Sequence, residues 1–201
     1  MKYKFIRKGF KSENGNTKWE IGKWQKPIKN LVLCEKGYHC SKTIYQAFSY
    51  VQGEILCQVE CKGKNLKDTD KEVWENQRVV KAWKWTKKDS VALSIYAAEL
   101  CIDNFEKVYP NDKRPREAIE AAKKFLKYPT AANRSAAESA AESAARSAAE
   151  SAARSARSAA GSAAWSAWSA AWSAARSAES AVISKISKWM DNRLKVLKEI
   201  K

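Results

Sequence analysis

Four of the five cysteines and the only histidine of this chain lie within a stretch of 28 residues. They are Cys34, His39, Cys40, Cys57 and Cys61. Thiolate and imidazole groups are ligands that zinc prefers. The spacings Cys-x5-Cys and Cys-x3-Cys nevertheless differ from the two-residue knuckles of structural zinc sites. We therefore predict no metal site and interpret these cysteines as buried, reduced thiols that pack as small apolar side chains.

The single histidine limits acid–base chemistry to one residue. A hydrolase triad would need Cys40 or Ser41 close to His39, with a carboxylate behind the imidazole. Neighbouring residues of a strand point to opposite faces, so this arrangement is not favoured.

Three tryptophans and an arginine form a stripe in the last third of the chain. Trp165, Trp168 and Trp172 recur at i, i+3 and i+7, and Arg176 lies on the same arc. Large rings can fill the core between alanine-rich helices, and Trp and Arg also dominate protein interfaces. The uncharged stretch 158–175 contains five serines and is too polar to predict a membrane span. The four residues are therefore candidate partner-binding residues, with core packing as the alternative.

The elements of the first half are predicted to be mostly strands. One helix is expected over residues 41–51, with Ser41 as its N-cap. The β-prone runs, separated by Gly and Asn turn formers, cover residues 3–7, 31–34, 54–61 and 78–85.

The second half is predicted to be helical throughout. Apolar residues recur at helical spacing from residue 89 to 109 and again from about 112 to 128. Of the 52 residues from 131 to 182, 24 are Ala and 13 are Ser, arranged in Ser-Ala-Ala-x repeats. We expect helix breaks near 129–133 and 159–162. The sequence thus predicts an α+β fold, with a small, mostly antiparallel β domain over 1–88 and an Ala/Ser-rich helical bundle over 89–201.

The chain has 201 residues and a net charge of +16, and this charge is concentrated in the first half. Residues 1–88 hold 20 Lys and Arg against 9 Asp and Glu. Most of the cations are Lys, which suits a solvated surface better than bidentate phosphate recognition. Nucleic-acid binding is therefore kept as an alternative, with five tryptophans as possible stacking platforms. These are Trp19, Trp24, Trp74, Trp83 and Trp85.

The cellular location of the protein is predicted from the first residues of the chain and from its cysteine count. Lysines and an arginine interrupt any apolar stretch in the first ten residues, and the cysteine count is odd. Both features favour a cytoplasmic protein.

The glycine and aromatic segment 36–43, with the run 53–60 and Gly63-Lys64 after it, resembles the central stretch of ADP-ribosyltransferases. The resemblance implies that Arg7 and Ser41 contact NAD and that Glu72 or Glu75 is the catalytic glutamate. The chain lacks the Glu-x-Glu pair of those enzymes. An NAD-dependent transferase is therefore an alternative hypothesis, and otherwise no cofactor is expected.

The string Tyr-Pro-Asn-Asp-Lys-Arg-Pro-Arg-Glu-Ala-Ile at 109–119, followed by the Ala/Ser repeats, resembles alanine-rich immunity proteins of polymorphic toxin systems and phage genomes. That resemblance implies a helical bundle that binds and neutralises another protein. Arg114 and Arg116 are candidate contacts, or else fix the turn between two helices. We predict a non-enzymatic binding protein of phage or mobile-element type that inhibits a toxin or a host defence effector such as a CRISPR complex. On this hypothesis it works in the host bacterial cytoplasm. Self-association through the Ala/Ser faces is left open.

Overall fold

The structure is a computed structural model that describes residues 1–15, 17–159 and 164–200, without the side chains of residues 151–177. Its architecture is α+β, as the sequence predicts: an antiparallel sheet precedes a series of helices. The chain divides into two compact units. The first comprises Met1–Thr86 with Ser187–Lys201, and the second comprises Lys87–Ile186.

The first unit is built on five strands. They are β1 (Lys2–Ile6), β2 (Tyr38–Cys40), β3 (Ile55–Lys67), β4 (Glu72–Lys84) and β5 (Glu199–Ile200). The order is β1-β3-β4-β2 with antiparallel pairing, and β5 pairs with β4. Tyr3 and Ser41 exchange two backbone hydrogen bonds, at 2.8 and 2.9 Å. Because these bonds link β1 to the chain just after β2, the sheet curls until its outer strands meet.

Both faces of β1 are covered. Phe5 packs edge-on against Phe48 and Trp85, with ring centroids 5.2 and 5.5 Å apart. Ile6 points the other way, into the core inside the curled sheet. Since alternate strand residues share a face, Lys2 and Lys4 lie on the Ile6 side.

The predicted short helix is present as α1 (Ile44–Tyr50). Thr43 rather than Ser41 is its N-cap, because Thr43 and Gln46 form a reciprocal capping box. Ser41 is instead held by its backbone bonds to Tyr3.

Two elements differ from the sequence prediction. The strand expected over 31–34 is wrong: Val32 bonds back to Lys36 in a tight turn, and Cys34 has a left-handed φ of 67°. At the other end of the chain, β5 lies in the half that was predicted to be entirely helical. Its pairing with Ala82 and Trp83 places the C-terminal residues in the first unit rather than in the 89–201 domain.

The second unit contains α2 (Lys87–Val108), α3 (Arg114–Lys127), α4 (Ala131–Ala159) and most of α5 (Ala164–Leu194). Helix α3 packs against both α2 and α4. Ile95, Ile102 and Ile119 form the core between α2 and α3. The break expected near 129–133 is confirmed, whereas the one near 159–162 falls largely on residues outside those described. Among the described helices, none is long and apolar enough to cross a membrane.

Candidate functional site

Two lysines of β1 lie over tryptophan rings inside the curled sheet. The Nζ of Lys2 is 4.2 Å from the centroid of the Trp74 ring, and the Nζ of Lys4 is 4.1 Å from that of Trp19. Such cation–π contacts gain strength when water is excluded. The sequence-based prediction treated both lysines as part of a solvated surface, and the structure corrects it.

The two lysines differ in their charged partners. Lys2 forms an ion pair with the buried carboxylate of Glu72, which also accepts a hydrogen bond of 2.9 Å from the indole of Trp74. Lys4 donates a bond of 3.1 Å to the amide oxygen of the fully buried Gln77. In the part of the chain that the structure describes, no carboxylate lies within ion-pair distance of Lys4.

Burial lowers the pKa of Lys4 to about 8. Desolvation disfavours the ammonium form, and the nearby thiols of Cys57, Cys40 and Cys61 only partly offset it. Lys4 is therefore a buried amine that loses its proton just above neutral pH.

A thiol pair lies beside Lys4. The Sγ atoms of Cys40 and Cys61 are 3.7 Å apart, and the Gln77 amide donates to Cys61 at 3.3 Å. The contact between the two thiols, together with burial, raises the pKa of Cys40, whereas the contacts with Cys40 and Gln77 lower the pKa of Cys61. Burial raises the pKa of Cys57 to about 12.

The prediction of buried thiols is correct for Cys40 and Cys57 but wrong for Cys34, which is exposed on its turn. All five cysteines are free. Among the described residues, no three His, Cys, Asp or Glu side chains are placed to hold a metal ion.

A cavity of about 280 Å³ adjoins this interior. It lies between β1, the loop at 12–19, the chain around β2, and α1. Its walls are both aromatic and polar, and the charged residues that line it are Lys4, Glu13 and Lys71. The lining includes Tyr3, Lys4, Phe5, Trp19, Gly37, Tyr38, His39, Cys40 and Ser41. Gly37 has a φ of 128°, and a side chain there would collide with Val73, so the rim requires glycine.

His39 lines the cavity but has no free ring nitrogen to act as a base. Its Nε2 accepts a bond of 3.0 Å from the Cys34 N–H, and the ring also bonds the backbone of Gly37. Burial lowers its pKa, with a further contribution from Lys4. The neutral imidazole therefore links the backbones of Cys34 and Gly37.

The four residues of the transferase hypothesis are not brought together. Arg7 lies on the surface in a bidentate pair with Glu13, at 2.6 and 2.9 Å. Glu72 contacts Lys2 at the other end of β1, about 17 Å along the strand from Arg7 at ~3.3 Å per residue. Of the four, only Ser41 lines the cavity.

Glu75 is also engaged elsewhere, by the N–H of Lys64 at 3.0 Å and by the ammonium of Lys29 at 3.4 Å. The cavity volume lies just below the range of roughly 300–1,000 Å³ that drug-sized ligands fill. NAD is larger than such ligands. The cavity that Ser41 lines is therefore too small for NAD.

Most of the proposed stacking tryptophans are buried. Trp19, Trp83 and Trp85 are each less than 10% exposed, so they cannot stack on nucleic-acid bases. Trp24 and Trp74 are partly buried, and Trp24 carries Lys62 and Arg78 over its ring, at 4.1 and 4.9 Å from the centroid.

The two candidate arginines of the second unit pair with carboxylates of their own unit. Arg114 binds Asp112 through two bonds of 2.7 and 2.9 Å. It also reaches Glu150 at 3.2 Å. Arg116 binds Glu106 through two bonds of 2.6 and 2.9 Å. These contacts link the start of α3 to the turn before it, to α2 and to α4.

Asp112 connects this turn to α4. The buried Ser147 hydroxyl donates to it at 2.5 Å, and together with Arg114 it holds the pKa of Asp112 well below the usual range. The remaining candidates, Trp165, Trp168, Trp172 and Arg176, lie outside the described side chains.

Residues 1–89 match the family model described as a domain of unknown function (DUF7666). The match covers β1 to β4 and the helix α1 that lies between β2 and β3. No curated protein and no solved structure matches the chain.

Proposed function

We propose that this chain is a non-enzymatic binding protein, and that its helical unit holds a protein partner. The partner class is the one that the sequence resemblance implies, a toxin or a host defence effector. The observation that carries the proposal is an exposed strip of alanines on α4. We call Ala141, Ala145 and Ala148 the alanine strip.

Among the described residues, the strip lies on a helix whose buried positions face α3. The α3 side of α4 is marked by partly or fully buried residues at 133, 137, 140, 143, 144 and 147. The alanine strip falls outside that set, and all three of its members are exposed. Their spacing of four and three residues places them on one face.

A strip of this kind suits a helix of another protein. Alanine has almost no side-chain bulk, so a second helix can approach the backbone of α4 closely. Its helix propensity keeps α4 formed while this face is uncovered. Charged residues flank the strip, including the pair of Arg134 with Glu138 at 2.9 Å.

The test compares Ala145→Glu with Ser139→Glu. Both positions are exposed on the same helix, but residue 139 lies on the side of α4 opposite the strip. A protein captured from a host lysate by the wild-type chain should bind A145E at least tenfold more weakly and S139E unchanged. Equal binding by both variants, or capture of no protein, would overturn the proposal.

Light scattering of the purified chains separates self-association from partner binding. A wild-type dimer that A145E converts to a monomer would show that the strip joins two copies of this chain, contrary to the proposal. A wild-type monomer leaves the strip free for a different protein.

A further inference from the structure

We propose that the cavity of the first unit is a binding site for a small carboxylate with an aromatic body, whose charged group pairs with Lys4. This inference is independent of the partner proposed for the helical unit. It stands on the contrast between Lys2 and Lys4, on the backbone at Phe5 and on the cavity walls.

Lys2 shows which contacts stabilise a lysine cation inside the curled sheet. The two lysines share a face of β1, and each ammonium group lies over an indole ring. Lys2 also has the carboxylate of Glu72, whereas Lys4 has only the neutral amide of Gln77. A buried cation without an anion is costly, and an incoming carboxylate would offset that cost.

The backbone of Phe5 supplies a second polar contact. Tyr3 directs its N–H and C=O away from β3, to Ser41. Strand alternation turns the N–H and C=O of Phe5 in the same direction. His39 of β2 lies opposite Phe5, and among the described residues no backbone hydrogen bond joins the two, so these groups are turned toward the cavity that both residues line. A carboxylate oxygen could accept from this N–H while the other oxygen meets Lys4.

The walls define the rest of the ligand. Trp19, Tyr38 and Tyr3 provide aromatic surface, and the cavity volume of about 280 Å³ would hold about nine waters at ~30 Å³ each. A monocyclic aromatic acid has this size. The site therefore fits a small aromatic carboxylate better than a nucleotide or a sugar phosphate.

The test uses benzoate as the probe, with benzamide as its uncharged counterpart and inorganic phosphate as an anion without a ring. Calorimetry at pH 7 should show binding of benzoate, and binding of benzamide or phosphate at least tenfold weaker. Lys4→Met should weaken benzoate binding at least tenfold. Lys42→Met, which removes an exposed charge beside Ser41, should leave it unchanged.

The pH profile gives a second measurement that needs no variant. Benzoate affinity should fall about tenfold per pH unit above pH 8, as Lys4 loses its proton. The titratable groups that act on Lys4 are Cys40, Cys57, Cys61 and His39. The other titratable groups lining the same cavity are Tyr3, Glu13, Cys34, Tyr38, Tyr50 and Lys71. Among these thiols, Cys61 is the one whose pKa is lowered. Because the proposal assigns the loss of affinity to Lys4, Cys61→Ser should show the same pH dependence of benzoate affinity as the wild-type chain.

The side-chain carbon signal of Lys4 in a ¹³C-lysine-labelled protein reports the site directly. Benzoate should raise the pKa of Lys4 in the wild-type chain. Absence of benzoate binding, equal binding of benzamide, preferential binding of phosphate, or an unshifted Lys4 pKa in the benzoate-saturated protein would each overturn the proposal.

Discussion

Cys40 and Cys61 lie with their sulfur atoms 3.7 Å apart, on two strands that are not neighbours in the sheet. The contact exists because the sheet curls until β1 meets the chain after β2. It brings the two thiols together within reach of the Gln77 amide, and the pKa of Cys40 is raised while that of Cys61 is lowered. The five cysteines therefore occupy different chemical environments.

Alkylation rates should follow those environments. With iodoacetamide at pH 8, Cys34 and Cys101 should react first because they are exposed, and Cys40 and Cys57 should react last because burial and raised pKa values suppress the thiolate. Peptide mass spectrometry over time gives the order. All five should react together in urea, and native-state modification of Cys57 at the rate of Cys101 would contradict the structure.

Removing the charge of Glu72 should destabilise the first unit. Glu72→Gln leaves the ammonium of Lys2 without its carboxylate in a largely buried setting, and we expect the free energy of unfolding to fall by about 2–3 kcal/mol at pH 7. Glu60→Gln is the matched control, because the pair of Glu60 with Arg78 is exposed and should cost less than 1 kcal/mol. Urea denaturation measures both, and equal losses would contradict the buried pair.

The same ion pair predicts a pH dependence. Burial tends to raise the pKa of Glu72, but hydrogen bonds from Lys2 and Trp74 outweigh it and leave the pKa lowered. A lowered folded-state pKa stabilises the fold above the unfolded value of about 4.3, and that stability is lost as the pH falls through the folded-state pKa. The stability difference between wild type and E72Q should therefore shrink below pH 4. A difference that is constant from pH 7 to pH 3 would be inconsistent with this.

The hydroxyl of Ser147 should matter for the helical unit. Ser147→Ala removes a buried donor to the carboxylate of Asp112, and we expect a loss of about 1–2 kcal/mol. Ser143→Ala lies one turn earlier on the same side of α4 and should be neutral or slightly stabilising, because alanine is the better helix former. Thermal unfolding gives the melting temperatures of the two variants. Identical melting temperatures would show that the bond from Ser147 to Asp112 does not stabilise the helical unit.

Incubation with NAD should release no nicotinamide above a protein-free control. Arg7 and Glu72 lie at opposite ends of β1, and the cavity beside Ser41 is too small for the dinucleotide. Chromatography of the reaction mixture provides the measurement. Release that E72Q abolishes while E60Q retains it would restore the transferase alternative.

Much of the fold can be predicted from the sequence because its signals are local. The alternation at 54–61 and the long helical periods identify β3 and the helices of the second unit. The break between α3 and α4 follows from Pro129. The 31–34 run is misleading because four apolar residues favour a strand only when a partner strand is available. Here Val32 bonds to Lys36 instead.

The interior of the first unit could not be predicted in the same way. A lysine at every second residue of β1 is ordinarily a solvent-facing pattern. The one hint is Ile6, which shares the face of Lys2 and Lys4 and cannot be solvated with them. The inward direction of that face depends on the bonds between Tyr3 and Ser41, 38 residues apart, which no local pattern encodes.

Hydrogen exchange of the wild-type chain, with and without its captured partner, tests the central claim that this protein works by binding through α4. We predict slower amide exchange over residues 131–150, because a partner on the alanine strip would suppress fraying of α4. Protection confined to residues 1–86, with exchange in α4 unchanged, would contradict it.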